Sequence, residues 1–402
     1  MKTLAVNGGN PVKTKPFPSW PMHSERELEL LEEVVTSNKW WRMSGTKVEE
    51  FEEKFAKYHN AKYCISVTNG THAIELALSA LGIGAGDEVI VPAFTFISTA
   101  TAPIYCDAVP VPVDVDPDTF CMDPDAFEKA ITPKTKAIIP VHMAGHSCDM
   151  DKICSIAQSH GIKVIEDAAH AHGAEWKNKK IGTFGDAATF SFQNGKIVTC
   201  GEGGALITNN EELYQTAFLV HGVGRPKKDK VYEHLVLGSN YRMNEFQAAV
   251  LIAQLERLEE LSIRRQKNAG ILNGLMKDIK GIVPQGESKD VTFNTHYMYM
   301  FYYNQEEFGG MTRQQFVDAL IGEGIPAFIA YPVVSNTAFF AQCNFRGHIN
   351  GHIDYKKLSL PNANKIADEV VWLPHFTLLG DEQDISEIAQ AVRKIQKACT
   401  GK

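Results

Sequence analysis

Short apolar runs alternate with amphipathic helical patterns through the first half of the chain. Gly, Pro, Asn or Asp residues bound most of these runs. Strands separated by helical patterns predict an α/β fold, with a mainly parallel sheet covered by helices on both faces. The predicted strands span residues 63–67, 88–91, 109–113, 137–141, 163–165, 187–192 and 205–208.

The pattern changes in the second half of the chain. Residues 244 to about 279 predict one long helix, with Leu251, Leu255, Leu258 and Leu261 on one stripe. After it, extended segments mix with helical ones, which predicts a smaller α+β domain. Residues 1–23 are rich in Pro and lack periodicity, so we expect an extended arm that reaches a partner subunit. The predicted division is an arm (1–23), a large domain (24–265) and a small C-terminal domain (266–402).

Composition and charge narrow the class of protein. The chain has 402 residues, of which 44% are hydrophobic and 22% charged, and its formal net charge is −8. This is ordinary for a globular protein, and no basic stripe suggests nucleic acid. No apolar run reaches about 18 residues and the N-terminus lacks an apolar segment, so we expect no membrane span and no signal peptide. The eight Cys are scattered without a C-x-x-C pair, which favours free thiols in the cytoplasm, and no ligand spacing predicts a metal site.

Two successive predicted strands end in groups suited to covalent chemistry. Glu166 and Asp167 follow one strand, and the next contains Ser191 and leads to Lys196. Open α/β sheets bind ligands outside the carboxyl ends of their strands. A Lys amine there suits pyridoxal phosphate, which it would hold as a Schiff base while the Asp faces the pyridine nitrogen. On spacing alone, a surface Lys and a capping Asp are equally compatible with the sequence.

Candidate phosphate ligands lie at loop-to-helix junctions. Residues 69–71 (Asn-Gly-Thr) stand between a strand and a helix, where backbone amides and a hydroxyl favour an anion. Ser191 would add a second hydroxyl. Asn240 and Arg242 precede the long helix and would bind phosphate in their own or a neighbouring subunit. Helix capping by Asn is the alternative at both junctions.

Aromatic residues supply the candidate walls of the site. Phe94 follows a predicted strand and would lie on the cofactor ring, with core packing as the alternative. His170 stands one helical turn beyond Asp167 and would reach the phenolic oxygen of the cofactor. A surface position is the alternative for both His170 and His172, and it suits His172 better. The loop 38–45 (NKWWRMSG) presents two Trp that would line an interface or a pocket, and simple packing is an equally good alternative.

Eight sequence blocks carry a family resemblance across residues 65–250. They are NGTHA, GDEVIVPAFTF, PVDVD, IIPVHMAG, VIEDAAHAHG, SFQNGK, GEGG and GSNYRMNEFQAA. With these blocks the chain resembles the DegT/StrS family of pyridoxal-phosphate-dependent sugar and cyclitol aminotransferases. It is most similar to the 3-amino-5-hydroxybenzoate synthase branch and to related inosose aminotransferases. The resemblance implies the type I aminotransferase fold and a homodimer whose two active sites lie at the subunit interface.

The resemblance also implies the catalytic roles. Lys196 would be the Schiff-base lysine and the proton shuttle, and Asp167 would pair with the pyridine nitrogen. His170 stands where most sugar aminotransferases of the family have Gln, and the hydroxybenzoate synthase branch has His there. Family members that act as dehydratases carry His in place of the lysine. Because Lys196 is present, transamination is expected.

The remaining cofactor contacts follow from the same resemblance. Gly70, Thr71 and Ser191 would hold the phosphate. Asn240 would reach the phosphate bound in the other subunit, and Phe94 would stack on the ring. These assignments come from matched blocks, residue by residue.

The expected activity is transfer of an amino group from Glu or Gln to a cyclic ketone, such as a keto-sugar or an inosose. One alternative is a synthase in which Lys196 also serves as the base for dehydration and aromatisation of an aminodehydroshikimate. A second alternative is a cofactor-binding regulatory protein without catalysis. The presence of both Asp167 and Lys196 argues against that last alternative.

Overall fold

The computed structural model describes residues 3–227, 232–342, 345, 349 and 353–401. Within these residues the strands are β1 (Tyr63–Val67), β2 (Glu88–Pro92), β3 (Val109–Val113), β4 (Thr135–Ile138), β5 (Lys163–Asp167), β6 (Glu175–Trp176), β7 (Lys179–Lys180), β8 (Ala187–Ser191), β9 (Gly204–Thr208), β10 (Ile282–Pro284), β11 (Val291–Phe293), β12 (Met298–Tyr303), β13 (Phe328–Ile329) and β14 (Val370–Pro374).

The helices occupy most of the connections between strands. They are α1 (Glu25–Ser37), α2 (Lys47–Tyr58), α3 (Gly70–Ala80), α4 (Ser98–Tyr105), α5 (Pro124–Lys129), α6 (Met150–His160), α7 (Glu211–His221), α8 (Glu245–Met276), α9 (Arg313–Gly322), α10 (Ala338–Gln342), α11 (Pro361–Glu369) and α12 (Glu382–Thr400). Local chemistry sets several of their starts. Asn244, for example, caps α8 and forms a reciprocal capping box with Gln247.

A seven-stranded sheet in the described residues has the order β1-β9-β8-β5-β4-β2-β3. Every neighbouring pair is parallel except the two that involve β9, which runs antiparallel to β1 and β8. Both faces are buried, because alternate residues join different hydrophobic cores. Along β2, Ile90 enters one core while Val89 and Val91 enter the other. The predicted parallel sheet with helices on both faces is confirmed.

The C-terminal part forms a second, smaller unit around an antiparallel sheet of order β10-β12-β14-β13. Its hydrophobic core includes residues of α8, β12, α9, β14 and α12. The predicted small α+β domain is therefore present. The domain boundaries at residues 23 and 265 stay predictions, since α8 runs without interruption through residue 265.

The N-terminal arm packs against the small unit of its own chain. Contact of the arm with a partner subunit stays a prediction. Leu4 and Phe17 join the small-unit core, and Lys13 is buried with ion pairs to Asp384 and to Glu387, the latter at 3.1 Å. Burial of apolar side chains together with a paired ammonium holds the arm in place.

None of the helices in the described residues combines the length and the apolar character that crossing a bilayer requires.

Candidate active site

The candidate residues gather at one edge of the large sheet. β1, β2, β5 and β8 run parallel to one another through the sheet order, so their carboxyl ends share this edge. β9 enters at the same edge, and its first residue, Gly204, pairs with Val67 at the end of β1 and Ser191 at the end of β8. A Cβ on Gly204 would lie 2.4 Å from the carbonyl carbon of Asn69. The glycine therefore lets the start of α3 approach the end of β8.

Gly70, Thr71 and Ser191 form a cradle beside the N-terminus of α3. Asn69 caps this helix by accepting a hydrogen bond from the His72 amide at 2.8 Å. A Cβ on Gly70 would lie only 2.8 Å from the Cβ of Ser191. Thr71 Oγ1 donates to Ser98 Oγ at 2.8 Å. The structure thus brings the three predicted phosphate ligands together at a helix start, where free amides attract anions.

Asp167 is the last residue of β5, and two hydrogen bonds hold its carboxylate in place. Thr99 Oγ1 donates to Asp167 Oδ2 at 2.9 Å, and the Ala169 amide donates to Oδ1 at 3.1 Å. Thr95 Oγ1 lies 3.0 Å from Thr99 Oγ1. Burial raises the pKa of Asp167, although these hydrogen bonds and the positive charge of Lys196 oppose that shift. The carboxylate is therefore fixed in orientation and would gain from a cationic partner.

Lys196 lies in the loop that follows β8. Its amide donates to the carbonyl of Gln193 at 2.8 Å, which closes a tight turn. The amine lies over the ring of Tyr297, 4.4 Å from the ring centroid. Burial lowers the pKa of Lys196 to about 8, and the charge of Asp167 opposes the shift. Asp167 and Lys196 therefore act on each other's pKa within one site, as their predicted roles require.

His170 and His172 are both buried, so the alternative of a surface position is wrong for both. The ring of His170 stacks on Tyr297 with centroids 4.3 Å apart. His170 Nδ1 has no hydrogen-bond partner within the described residues. His172 Nε2 lies 2.9 Å from the carbonyl of Ser191 and would donate to it. Burial, reinforced by nearby positive groups, holds the pKa of each imidazole well below its usual range, so both are neutral.

Phe94 does not face the site, which corrects its predicted stacking role. Its side chain is 0% exposed and belongs to a hydrophobic core. Its ring packs near Phe120 and Tyr331, with centroids 6.5 and 6.1 Å away. Phe96 is 54% exposed and lies 6.2 Å from Tyr331. The chain bends after β2, so the alternation of side chains along the strand does not predict which Phe faces outward. Of the two, Phe96 has the exposed ring.

Asn240 is exposed next to the end of β1. The segment around it is anchored by backbone pairing of Gly222 with Asn240 and of Val67 with Arg242. Three large apolar side chains near it in the fold or in the sequence are exposed: Trp40, Trp41 and Leu237 are 51%, 47% and 97% exposed, and Trp41 lies 6.0 Å from the guanidinium of Arg242. The two Trp of the 38–45 loop are thus on the surface, as predicted. The contact of Asn240 with a phosphate in another subunit stays a prediction.

Thr99, Phe96 and Tyr297 are site residues that the sequence analysis missed. Thr99 and Phe96 lie in the quoted block around residues 87–96 or just after it, where polar residues interrupt an apolar run. That interruption was a usable signal for Thr99. Tyr297 lies in an aromatic stretch of the small unit, and no local pattern separates it from its neighbours.

These residues fit pyridoxal phosphate. The tight approach of Gly70 to Ser191 leaves a helix N-terminus open to a phosphate. An oriented carboxylate, Asp167, meets the requirement for a partner of the pyridine nitrogen. The Nδ1 atom of His170 is buried and has no hydrogen-bond partner among the described residues. Buried polar atoms normally have one, so a ligand would supply the missing partner. The Lys196 amine, with its lowered pKa, is suited to covalent attachment of the cofactor.

Comparisons with known proteins identify the family of the chain. The model of the DegT/DnrJ/EryC1/StrS aminotransferase family matches residues 21–393. The chain is 44% identical over 388 residues to the 3-amino-5-hydroxybenzoate synthase of Amycolatopsis mediterranei (strain S699), with 95% of this chain and 98% of that protein covered. It is 37% identical over 412 residues to an L-glutamine:2-deoxy-scyllo-inosose aminotransferase of Streptoalloteichus tenebrarius, covering 98% and 97%.

A solved structure is also similar in fold. The crystal structure of 3-amino-5-hydroxybenzoic acid synthase matches with a TM-score of 0.90 and 43% identity, covering 95% of this chain and 99% of that one. The predicted type I aminotransferase fold is confirmed. The chain belongs to the DegT/DnrJ/EryC1/StrS aminotransferase family and is a pyridoxal-phosphate-dependent aminotransferase.

Proposed function

We propose that this enzyme transfers an amino group from Gln or Glu to a small cyclic ketone, such as an inosose or a keto-sugar, in amino-sugar or secondary-metabolite biosynthesis. The observation that carries the proposal is the placement of Asp167 at the end of β5 and of Lys196 in the turn after the neighbouring strand β8, at one edge of the large sheet. The named activity of the inosose aminotransferase relatives supports the substrate class.

Lys196 would both hold the cofactor and move the proton. Bound pyridoxal phosphate supplies an electron sink that stabilises the charge left on carbon when a proton is removed. With a pKa of about 8, the Lys196 amine has both protonation states populated near neutral pH. A proton carrier works best when its pKa lies near the working pH. Lys196 would therefore accept and return a proton in turn, and Asp167 would favour the protonated form of the pyridine nitrogen.

The other residues would orient the cofactor and exclude water. Gly70, Thr71 and Ser191 would bind the phosphate at the start of α3, and Phe96 would cover the ring. Because His170 is neutral and its Nδ1 is free within the described residues, it would hydrogen-bond the phenolic oxygen of the cofactor. A site that excludes water also protects the reactive groups from hydrolysis.

Gly70→Ala is expected to weaken binding of pyridoxal phosphate by about tenfold or more. The new Cβ would lie 2.8 Å from Ser191 Cβ, and relieving such overpacking costs about 1–3 kcal/mol. The dissociation constant is measured by equilibrium dialysis of the cofactor. Gly84→Ala is the matched control, because its Cβ would meet only the Cys106 carbonyl at 3.6 Å. Equal dissociation constants for both variants would contradict the proposed cradle.

A second function is favoured by a specific observation. The hydroxybenzoate synthase relative and its crystal structure match this chain at 44% and 43% identity, and His170 agrees with that branch. In this alternative, Lys196 would also act as the base that dehydrates and aromatises an aminodehydroshikimate. The proposed amine transfer and this synthase activity share the cofactor and differ in product.

A product assay separates the two functions. Purified enzyme is incubated with Gln and, in turn, an inosose, a nucleotide-linked keto-sugar and an aminodehydroshikimate. We expect an aminated inosose or keto-sugar, identified by mass spectrometry. If the only product is an aromatic compound, detected by its absorbance, formed from the aminodehydroshikimate, the proposed function is wrong and the synthase alternative is correct.

We also propose that the protein is a homodimer with shared active sites and that it is located in the cytoplasm. The exposed side chains of Trp40, Trp41 and Leu237 lie near Asn240 in the fold or in the sequence, so a second copy that covers them would bring Asn240 toward that copy's phosphate site. Among the described residues seven cysteines are free thiols, which suits a reducing compartment. Cys343 lies outside the described residues.

A further inference from the structure

Tyr297 contacts three groups of the active site with one ring. His170 stacks on it at 4.3 Å and His375 lies nearly parallel to it at 6.0 Å, while the Lys196 amine lies 4.4 Å from its centroid. We propose that Tyr297 is a positioning residue whose aromatic face holds the protonated Lys196 amine within the site. The inference deepens the proposed function, since it rests on Lys196 being the amine that takes part in the reaction.

The ring face is suited to a cation that lacks other partners. No described residue accepts a hydrogen bond from the Lys196 amine, and Asp167 is the charged group that favours its protonated form. An ammonium over an aromatic ring is attracted by the negative face of the ring, more strongly where water is excluded. Burial raises the pKa of Tyr297 to about 12, so the phenol stays neutral across the working range.

Contacts from three other parts of the chain fix the segment that carries the ring. The carbonyl of Thr295 accepts a hydrogen bond from Nε of the fully buried Arg265 in α8 at 3.0 Å. Thr295 Oγ1 donates to the carbonyl of His170 at 3.3 Å. A Cβ on Gly145 would lie 2.8 Å from the His296 amide, so this glycine allows close packing from the other side. The segment that carries Tyr297 is therefore fixed by α8 and by the loops that follow β4 and β5.

The other titratable groups near Lys196 do not provide the contact that the ring of Tyr297 makes with its ammonium. The three histidines influenced by its charge are neutral, because burial holds the pKa of each well below its usual value: His170, His172 and His375. Asp167 attracts the ammonium, but among the described residues no hydrogen bond joins its carboxylate to the Lys196 amine; its partners are Thr99 and the Ala169 amide. The aromatic face of Tyr297 is thus the group in direct contact with the amine.

The test measures the protonation of Lys196 in the enzyme loaded with pyridoxamine phosphate, in which the Lys amine is free. Competitive labelling with acetic anhydride across a pH series, followed by peptide mass spectrometry, gives its pKa. Tyr297→Leu removes the aromatic face, and we expect the pKa of Lys196 to fall by about 1 unit. Tyr297→Phe keeps the face and is expected to leave that pKa unchanged.

Tyr302→Leu is the matched control, because Tyr302 lies on β12 and donates instead to the carbonyl of Pro117. It should leave the pKa of Lys196 unchanged. An unaltered pKa in folded Tyr297→Leu would overturn the proposal, and so would a fall of about 1 unit in Tyr297→Phe, which would assign the effect to the hydroxyl. If Tyr297→Leu fails to fold, Tyr297→Met replaces it under the same criteria. None of these outcomes depends on the ketone, so the proposed substrate class can fail separately.

Discussion

Lys196→Ala is expected to abolish turnover and to remove the visible absorbance of covalently bound cofactor. The variant loses the amine that would bind the cofactor and carry the proton, and a positioned acid–base group alone contributes up to about 10⁴-fold. We therefore expect kcat to fall by about 10⁴-fold or more. Amine transfer from Gln is followed by mass spectrometry, and cofactor attachment by absorbance between the near-ultraviolet and the visible.

Lys179→Ala is the matched control for this substitution. Lys179 is an exposed lysine of the short strand β7, and its amine lies 4.1 Å from the ring centroid of Phe184, in the loop that precedes β8. It should leave turnover and absorbance unchanged. Lys196→Arg is a second comparison, since Arg keeps the positive charge but remains protonated at all working pH values. If either Lys196 variant retained substantial turnover, the proposed role of Lys196 would be wrong.

Asp167→Asn is expected to lower kcat by about 10³-fold with much smaller changes in the folded structure. The side chains are nearly isosteric, and Asn can still accept a hydrogen bond from Thr99 or from the Ala169 amide. What is lost is the negative charge opposite the pyridine nitrogen. An ion pair at about 4 Å and an effective dielectric of about 20 is worth roughly 4 kcal/mol, or about 3 units in the pKa of the nitrogen.

The measurement is a pH titration of the absorbance of the bound cofactor, together with kcat. Glu166→Gln provides a contrast one residue away. Glu166 is fully buried and accepts hydrogen bonds from the amides of Gly182, Phe184 and Gly185. Its replacement should lower the melting temperature while the absorbance titration stays as in the wild type. A wild-type titration in Asp167→Asn would remove Asp167 from its proposed role.

The two adjacent carboxylates, Glu166 and Asp167, show what the local sequence can predict and what it cannot. Both stand at the end of the same predicted strand, and alternation places their side chains on opposite faces of the sheet. The sequence does not state which face carries the ligand. In the structure Glu166 accepts hydrogen bonds from backbone amides of the loop before β8. Asp167 instead accepts one from Thr99, and its charge favours the protonated form of Lys196.

The sequence by itself determined the succession of strands and helices, because apolar periodicity is a local property that each segment carries independently. It also predicted the small α+β unit, the helix α8 and the chemical types at the strand ends, including Lys196 and Asp167. The order of eight motif-like blocks along the chain added the family resemblance, which the matched family model confirmed.

Tertiary structure alone decided which side chains meet. The chain bends after β2, so only packing shows that Phe94 is buried and Phe96 exposed. Burial of Leu4 and Phe17 in the small-unit core places the arm on its own chain. Tyr297 reaches Lys196 from a segment about a hundred positions away, held there by Arg265. Such contacts depend on the relative placement of distant elements, and the periodicity of a single segment carries no information about that placement.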